Sequence, residues 1–270
     1  MDDRTKGRLT RDGIRIYEPE DFAGMRKAGA LAAQILDNIA PMIVPGATTG
    51  EIDAAIERMV DEAGATSATI GYKGYQHASC ISVNHVVCHG IPGEKRLKDG
   101  DILNVDVTVI VDGWFGDTSR MYVAGKLSRK AERLIQVTHD ALFKGIEAVK
   151  PGNTFGDIGY AIQAYVEAHR MSVVRDFCGH GLGRVFHAPP NVLHYGRRGT
   201  GAVLEPGMFF TIEPMVNLGR PETKVLADDW TAVTRDKSLS AQFEHTVGVT
   251  EDGFELFTLS PGGKFHPTWA

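Results

Sequence analysis

The sequence predicts an α+β fold built from two related halves. Two observations carry the prediction. Residues 45 to 60 (PGATTGEIDAAIERMV) recur as residues 151 to 166 (PGNTFGDIGYAIQAYV), with eight identities in sixteen positions. At nearly the same offset LKDGDILNVDV (97 to 107) lies over LEPGMFFTIEP (204 to 214), which sets Leu97 on Leu204, Gly100 on Gly207 and Asp106 on Glu213. Helix-start grammar alone is common, but a second match at that spacing argues for duplication. Each half then reads as a helix pair flanking antiparallel strands, and packing the halves about a pseudo-two-fold axis brings their inner strands together. The chain has 270 residues, 43% of them apolar and 23% charged, which is enough for one large core or two fused halves. No linker or low-complexity segment separates the halves. The expected organisation is an N-terminal extension over 1–17, a single domain over 18–258 with halves of about 18–126 and 127–258, and a tail over 259–270.

The elements follow in order. A helix is expected near 19–40, and another near 49–64 opened by Thr48 with Glu51 three residues on, a capping box. A strand is expected near 80–88. From Ile102 to Val111 the residues alternate, with Leu103, Val105, Val107, Val109 and Val111 on one face and Asn104, Asp106 and Thr108 on the other. Asp112-Gly113 is a two-residue hairpin turn into a strand near 114–123. That loop pairs Val111 with Trp114, Thr108 with Asp117 and Asp106 with Ser119, so Asp117 sits one diagonal step from Asp106 on the same face. Helices near 128–149 and 155–169 follow, the second capped by Thr154 with Asp157. Ile52, Ile56 and Val60 match Ile158, Ile162 and Val166 on one helical face. Strands near 207–217 and 239–250 complete the second half. The last alternates, with Gln242, Glu244 and Thr246 opposite Ala241, Phe243, His245 and Val247.

Two carboxylates on the inward side of a Val-rich ribbon repel each other and resist desolvation unless positive charge lies between them. Duplication adds Glu213, alternation adds Glu244, and no Lys or Arg is placed to match the four. A divalent ion, or a pair, is the economical partner. His180, in Phe-Cys-Gly-His-Gly-Leu-Gly, is flanked by glycines that let backbone and imidazole approach a centre closely, a plausible setting for a nitrogen ligand. A lone His in such a loop is more often structural, as is an isolated strand Asp. Four carboxylates and one imidazole suffice for two ions sharing oxygens roughly 3.5 to 4 Å apart.

The ordered set Asn-Val-Asp-Val-Thr, Gly-Asp-Thr, Cys-Gly-His-Gly-Leu-Gly, Phe-Thr-Ile-Glu-Pro and Gln-Phe-Glu-His-Thr closely resembles the bacterial type I methionine aminopeptidases, from about residue 18 to 258. The resemblance implies the pita-bread fold, whose duplicated halves agree with the repeat. It implies removal of the initiator methionine by attack of metal-activated water on the first peptide bond. The implied metal ligands are Asp106, Asp117, His180, Glu213 and Glu244, with Asp117 and Glu244 bridging two divalent ions, Asp106 completing one shell, and His180 with Glu213 the other. Glu213 is the implied proton acceptor. His89 is implied to approach the substrate backbone and assist amide departure, and His187 to hydrogen-bond the scissile carbonyl. Tyr72, Tyr75, Cys80, Phe186 and Trp230 are implied to line a slot for a long thioether. Ile70 stands where relatives often carry Cys, which keeps that slot apolar and alters its width. Oxygen-rich ligation with one imidazole suits Mn, Fe, Co and Zn alike. The implied partners are N-termini of nascent polypeptides beginning with Met, with the ribosome as a further candidate.

Composition narrows the rest. A formal charge of −5 without a dense basic stripe disfavours nucleic acid as a primary partner. No apolar run is long enough to span a bilayer, and the start of the chain lacks the apolar core of a secretory signal, so a reducing cytoplasm is expected. The chain is expected to be a monomer. Cys80, Cys88 and Cys178 build no disulfide framework and are expected as buried thiols. Three rivals stand beside the main reading. A proline-specific peptidase of the same fold normally carries an extra domain before its first metal-binding Asp, where about a hundred residues precede Asp106 here. A catalytically dead binding protein is expected to have lost a ligand, and a two-metal phosphoesterase to add Lys or Arg for phosphate.

Overall fold

The computed structural model describes residues 7–264. Residues 1–6 of the expected N-terminal extension and 265–270 of the expected tail lie outside the described residues. Four α-helices span Asp21–Ile39 (α1), Thr49–Glu62 (α2), Arg129–Glu147 (α3) and Phe155–Ala168 (α4), each within about two residues of expectation.

The duplication is written into the hydrogen bonds. In the first half the Gly46 and Leu97 segments exchange bonds (Gly46 N–H to Leu97 O, Leu97 N–H to Ala47 O), and Gly50 N–H donates to Gly93 O. In the second half Gly152 N–H donates to Leu204 O, Leu204 N–H to Asn153 O, and Gly156 N–H to Thr200 O. The backbone N–H groups of Thr48 and Thr154 donate to the carboxylates of Glu51 and Asp157, at 2.7 and 2.8 Å, so both capping pairs form as the sequence implies.

The strands Asp101–Val111 and Trp114–Ala124 form one unbroken ladder in the expected register: Val111 opposite Trp114, Thr108 opposite Asp117, Asp106 opposite Ser119. Asp112 and Gly113 take φ of 49° and 80°, the left-handed pair that a two-residue turn needs to match strand twist. Leu103, Val105, Val107 and Val109 bury themselves with Ile35, Leu36, Ile39, Ile52 and Ile56 from α1 and α2, forming the first half's core. The second half's core packs Leu134, Ile135 and Leu142 of α3 and Ile158 and Ile162 of α4 over Phe210, Ile212 and Val247. Ile14 and Ile16, before residue 18, join that core.

Three expected strands are interrupted. The one near 80–88 divides into Ser79–Val83 and Val86–Cys88 around Asn84, which takes a φ of 57°. The pair near 207–217 and 239–250 divides into Phe209–Ile212 with Met215–Asn217, and Ser240–Gln242 with His245–Val249. Both sides of that break share one register, Ile212 opposite His245 and Met215 opposite Gln242, so Glu213 and Glu244 face each other across the gap. Pro214 has no N–H to give the ladder, and the two glutamates turn their backbones elsewhere. Short strands at Ala188–Val192 and Ala232–Thr234 are additions to the expected set. Pro189 and Pro190 argue against a strand in the sequence, which is why the first escaped notice.

The halves are stitched along their inner strands. Thr118 Oγ1 donates to Glu244 O at 2.7 Å, Glu244 N–H to Ser119 O at 3.1 Å, Thr246 Oγ1 to Asp117 O at 2.6 Å, and Asn104 Nδ2 to Gln242 O at 2.8 Å. Every one of these bonds lies within a few residues of a candidate ligand. The seam and the site are the same place.

Candidate metal centre and its cleft

A cavity of roughly 640 Å³ opens over this seam, and all twelve site residues singled out in the sequence line it. Asp106 and Asp117 enter from the unbroken ladder of the first half, Glu213 and Glu244 from the break in the second. His180 enters from the short strand Gly179–Gly181, which lies between Ala188–Val192 and Phe209–Ile212. The glycines around it have a specific use. A Cβ on Gly179 would meet Thr211 O at 2.4 Å and one on Gly181 would meet Pro189 O at 2.1 Å, so the flanking strands close on His180 only because side chains are missing there.

One ligand atom each from Asp117, His180 and Glu244 falls within 4.8 Å of the other two, and all three residues are buried. His180 Nε2 lies 3.4 Å from Asp117 Oδ2 and 3.8 Å from Glu213 Oε1. Its Nδ1 is 3.1 Å from Gly181 O, and a carbonyl only accepts, so the proton sits on Nδ1. The neutral ring then aims an Nε2 lone pair at carboxylate oxygens. Acceptor facing acceptor is a geometry that requires a proton or a cation between them.

The acids demand the same. Burial first, then Asp117 and Glu213, holds the Asp106 carboxyl well above the ordinary carboxylate range. Burial first, then Asp117, Glu213 and Asp106, does likewise for Glu244. Glu213 is pushed up to about 7 by burial, against the opposing pull of His180 and the Thr211 hydroxyl. Burial pulls His180 down, but the Asp117 hydrogen bond and the neighbouring carboxylates outweigh it and its pKa rises. Among the described residues no Lys or Arg forms an ion pair with any of the four acids. Lys73, the cavity's lysine, is exposed with its ammonium over the Tyr72 ring at 5.3 Å. Oxygen-rich donors, one imidazole lone pair and uncompensated buried acid fit divalent cations.

Neighbours to which the sequence assigned no role hold these groups in place. Thr108 Oγ1 donates to Asp117 Oδ1 at 2.7 Å. Thr211 Oγ1 donates to Glu213 Oε1 at 2.7 Å and accepts from the His180 N–H at 3.0 Å, tying two candidate ligands through one hydroxyl. Gln242 Nε2 donates to Glu213 Oε2 at 3.2 Å. Alternation already sets Gln242 on the face of Glu244, and the same signal places Thr211, two residues before Glu213, beside that acid.

The remaining side chains form the walls. Tyr72 stacks on His187 at 5.1 Å between ring centroids and meets Phe186 edge-on at 5.0 Å. Tyr75, 3% exposed, donates to Ser79 O at 2.9 Å and lies 4.8 Å from Trp230. His89 stands edge-on to Phe177 at 5.5 Å and to Trp230 at 6.1 Å, and burial lowers its pKa. His187 shows an edge to solvent at the mouth, yet burial of the rest of the ring and then the neighbouring His180 lower its pKa to about 4. Two expectations are corrected. Ile70 is 42% exposed and is not part of the cavity lining, although Thr69 and Tyr72 on either side of it are. Cys178 is half-buried rather than buried, because it lines the open cleft beside His180.

Comparison with known proteins identifies the family and the fold. The model of metallopeptidase family M24 matches residues 23–251. A methionine aminopeptidase of Rickettsia prowazekii is 56% identical over 257 residues, which cover 95% of this chain and 99% of that protein. The crystal structure of methionine aminopeptidase from Rickettsia prowazekii superposes with a TM-score of 0.90 at 57% identity, covering 91% of this chain and 100% of that one. A prolidase from Pyrococcus horikoshii gives a TM-score of 0.72 at 21% identity over 90% of this chain and 63% of its own, a likeness of fold alone. The fold is that of the pita-bread metallopeptidases, and the chain belongs to metallopeptidase family M24, a family that implies binding of divalent metal. Within that family its place is among the methionine aminopeptidases.

Proposed function

We propose that this chain removes the initiator methionine from nascent polypeptides with two divalent ions, which Asp106, Asp117, His180, Glu213 and Glu244 would hold. The observation that carries the reading is the inward-facing Nε2 of His180 among buried, unmatched carboxylates. When bound, divalent ions there supply Lewis acidity, which acidifies water and polarises a carbonyl.

The chain's own groups do the rest. Glu213 takes the proton of the attacking water at its carboxylate, held for that task by Thr211 and Gln242. Its pKa of about 7 belongs to an acid among buried acids, and positive charge beside it lowers that value, keeping it an acceptor at neutral pH. His187, with its pKa pulled down to about 4, is neutral at pH 7 and donates an N–H to the carbonyl oxygen as charge develops. His89, also lowered by burial, stays uncharged and donates to the peptide backbone beside the leaving amide. Tyr72, Tyr75, Cys80, Phe186 and Trp230 surround the first side chain. A flexible, polarisable thioether suits such aromatic walls better than a branched or charged group. A requirement for the free α-amine makes the reaction an exopeptidase cleavage. The substrates are chain ends that emerge during synthesis, with the ribosome as the candidate docking partner and the cytoplasm as the setting of a monomeric enzyme. Mn, Fe, Co and Zn all suit this donor set.

The test uses metal-stripped protein with peptides beginning Met-Ala, Met-Leu and Ala-Pro, restoring Mn, Fe, Co and Zn one at a time. Release of methionine from Met-Ala peptides, dependent on added ion, is the expected result. Cleavage of Ala-Pro with Met-Ala untouched would overturn the reading in favour of a proline-specific peptidase.

A further inference from the structure

We infer that His194 is a positioning residue for Glu213, acting through one fixed tautomer of its ring. The inference rests on the reading of Glu213 as ligand and proton acceptor given above. His194 is fully buried, and its Nε2 lies 3.0 Å from the backbone nitrogen of Glu213. A backbone N–H only donates, so Nε2 must hold the lone pair and the ring proton must sit on Nδ1. Nδ1 has no hydrogen-bond partner among the described residues.

The reason for so unusual an arrangement is the break in the ladder. Asp106, the counterpart of Glu213 in the first half, stands in regular register between Cys80 and Ser119, so neighbouring strands fix its backbone. Glu213 has no such support, because pairing stops at Ile212 and resumes at Met215, and Glu244 across the gap sends its own N–H to Ser119 O. The imidazole of His194 takes the place of the missing strand. It holds the peptide of Glu213 from behind while Thr211 and Gln242 hold the carboxylate in front. Backbone and side chain are thereby fixed at once, which is what a ligand at an irregular position needs.

Nitrogen-15 NMR of the intact protein, with His194 assigned by its absence from the spectrum of a variant, reads the tautomer directly. The Nδ1–H form is expected, and the Nε2–H form overturns the inference whatever the variants do. His194→Gln keeps an acceptor within reach of the Glu213 N–H, whereas His194→Leu removes it. Calorimetric titration with Mn(II) alone should find the Gln variant within about threefold of the parent, and the Leu variant weaker by about ten- to a hundredfold. With Met-Ala peptides the Leu variant should lose kcat and keep KM within about twofold. Equal loss in both variants, or no loss in either, overturns a positioning role. Should the Leu variant fail to fold, the tautomer and the Gln variant still decide. Glu213→Gln separates the two readings: if it leaves Mn(II) binding and turnover unchanged, the role of Glu213 itself falls, whereas failure confined to His194 removes only this inference.

Discussion

The two halves of this molecule bring acids to the same seam by different means. In the first, Asp106 and Asp117 sit in a hairpin of two eleven-residue strands that pair without interruption, and the pleat alone aims both side chains inward. In the second, Glu213 and Glu244 face each other where the ladder lapses, and their backbone N–H groups go to His194 and to Ser119 of the other half. A duplicated gene need not keep a symmetric site. The regular half places its acids by one local ladder, while in the irregular half Glu213 depends on side chains from elsewhere in its own half and Glu244 on a bond across the seam.

Breaking the centre outright gives the largest expected effect. Asp117→Ala or Glu244→Ala should abolish turnover of Met-Ala peptides while circular dichroism remains that of a folded chain. Full activity in either variant would sink the shared-ligand arrangement. Chelation of the parent should likewise abolish turnover, with recovery on adding back a divalent ion, and should lower the melting temperature, because ions that bind only the folded state stabilise it.

Neutralising one acid has an effect whose sign depends on whether metal is bound. In metal-free protein Glu244→Gln removes a group whose pKa burial and three neighbouring acids hold well above the ordinary range. A group with a raised folded pKa stabilises below its unfolded pKa and loses that contribution as pH rises through the folded value. The metal-free Gln variant should therefore melt higher than the metal-free parent at pH 8, and by a margin that shrinks toward pH 4. With saturating Mn(II) the order should invert. Equal melting temperatures at pH 8 without metal would show that the acids do not strain the seam.

The asymmetry itself is tested by two hydroxyl deletions. Thr211→Val unties both His180 and Glu213, whereas Thr108→Val removes one bond to an Asp already fixed by its ladder. Mn(II) affinity should fall about tenfold or more for the first and only a few-fold for the second, a difference of the kind outer hydrogen bonds exert on metal sites. The opposite ranking would dissolve the contrast between the halves.

The smallest effect concerns the closure of residues 260–264 over α1. Asp37 accepts from Arg120 Nη1 at 2.6 Å, from Ser260 Oγ and from the Gly262 N–H. Burial raises its pKa, but these donors outweigh burial and the net shift is downward. Its contribution is present above the unfolded value of about 4 and fades as pH falls through the lower folded value. Asp37→Asn should cost about 2 kcal/mol in urea unfolding at pH 7, and the gap to the parent should narrow below pH 4. A gap that is constant with pH would mean that packing, rather than charge, accounts for it.

Much of this was legible in the amino acids. The hairpin register followed from alternation and an Asp-Gly turn, both periodic and local. The acids Glu213 and Glu244 could be placed by repeat and alternation, but the interruption that puts them face to face could not, since Pro214 marks it only once the partner strand is known. His194 left no trace, because nothing in its neighbours' pattern distinguishes a core histidine from one that accepts a particular N–H. Ile70 shows the same limit from the other side: it is exposed although Thr69 and Tyr72, its near neighbours in sequence, line the cavity.

What the sequence determined by itself is therefore what repeats over short distances: helix faces, capping boxes, the pleat of one hairpin and the identity of the donors. Tertiary structure alone decided which backbone groups leave the ladder, which hydroxyls and rings receive them, and that the seam between the halves coincides with the acids. The physical reason is range. Steric and hydrogen-bond preferences act within a few residues, whereas a buried N–H must find whatever acceptor the packing of distant segments happens to supply.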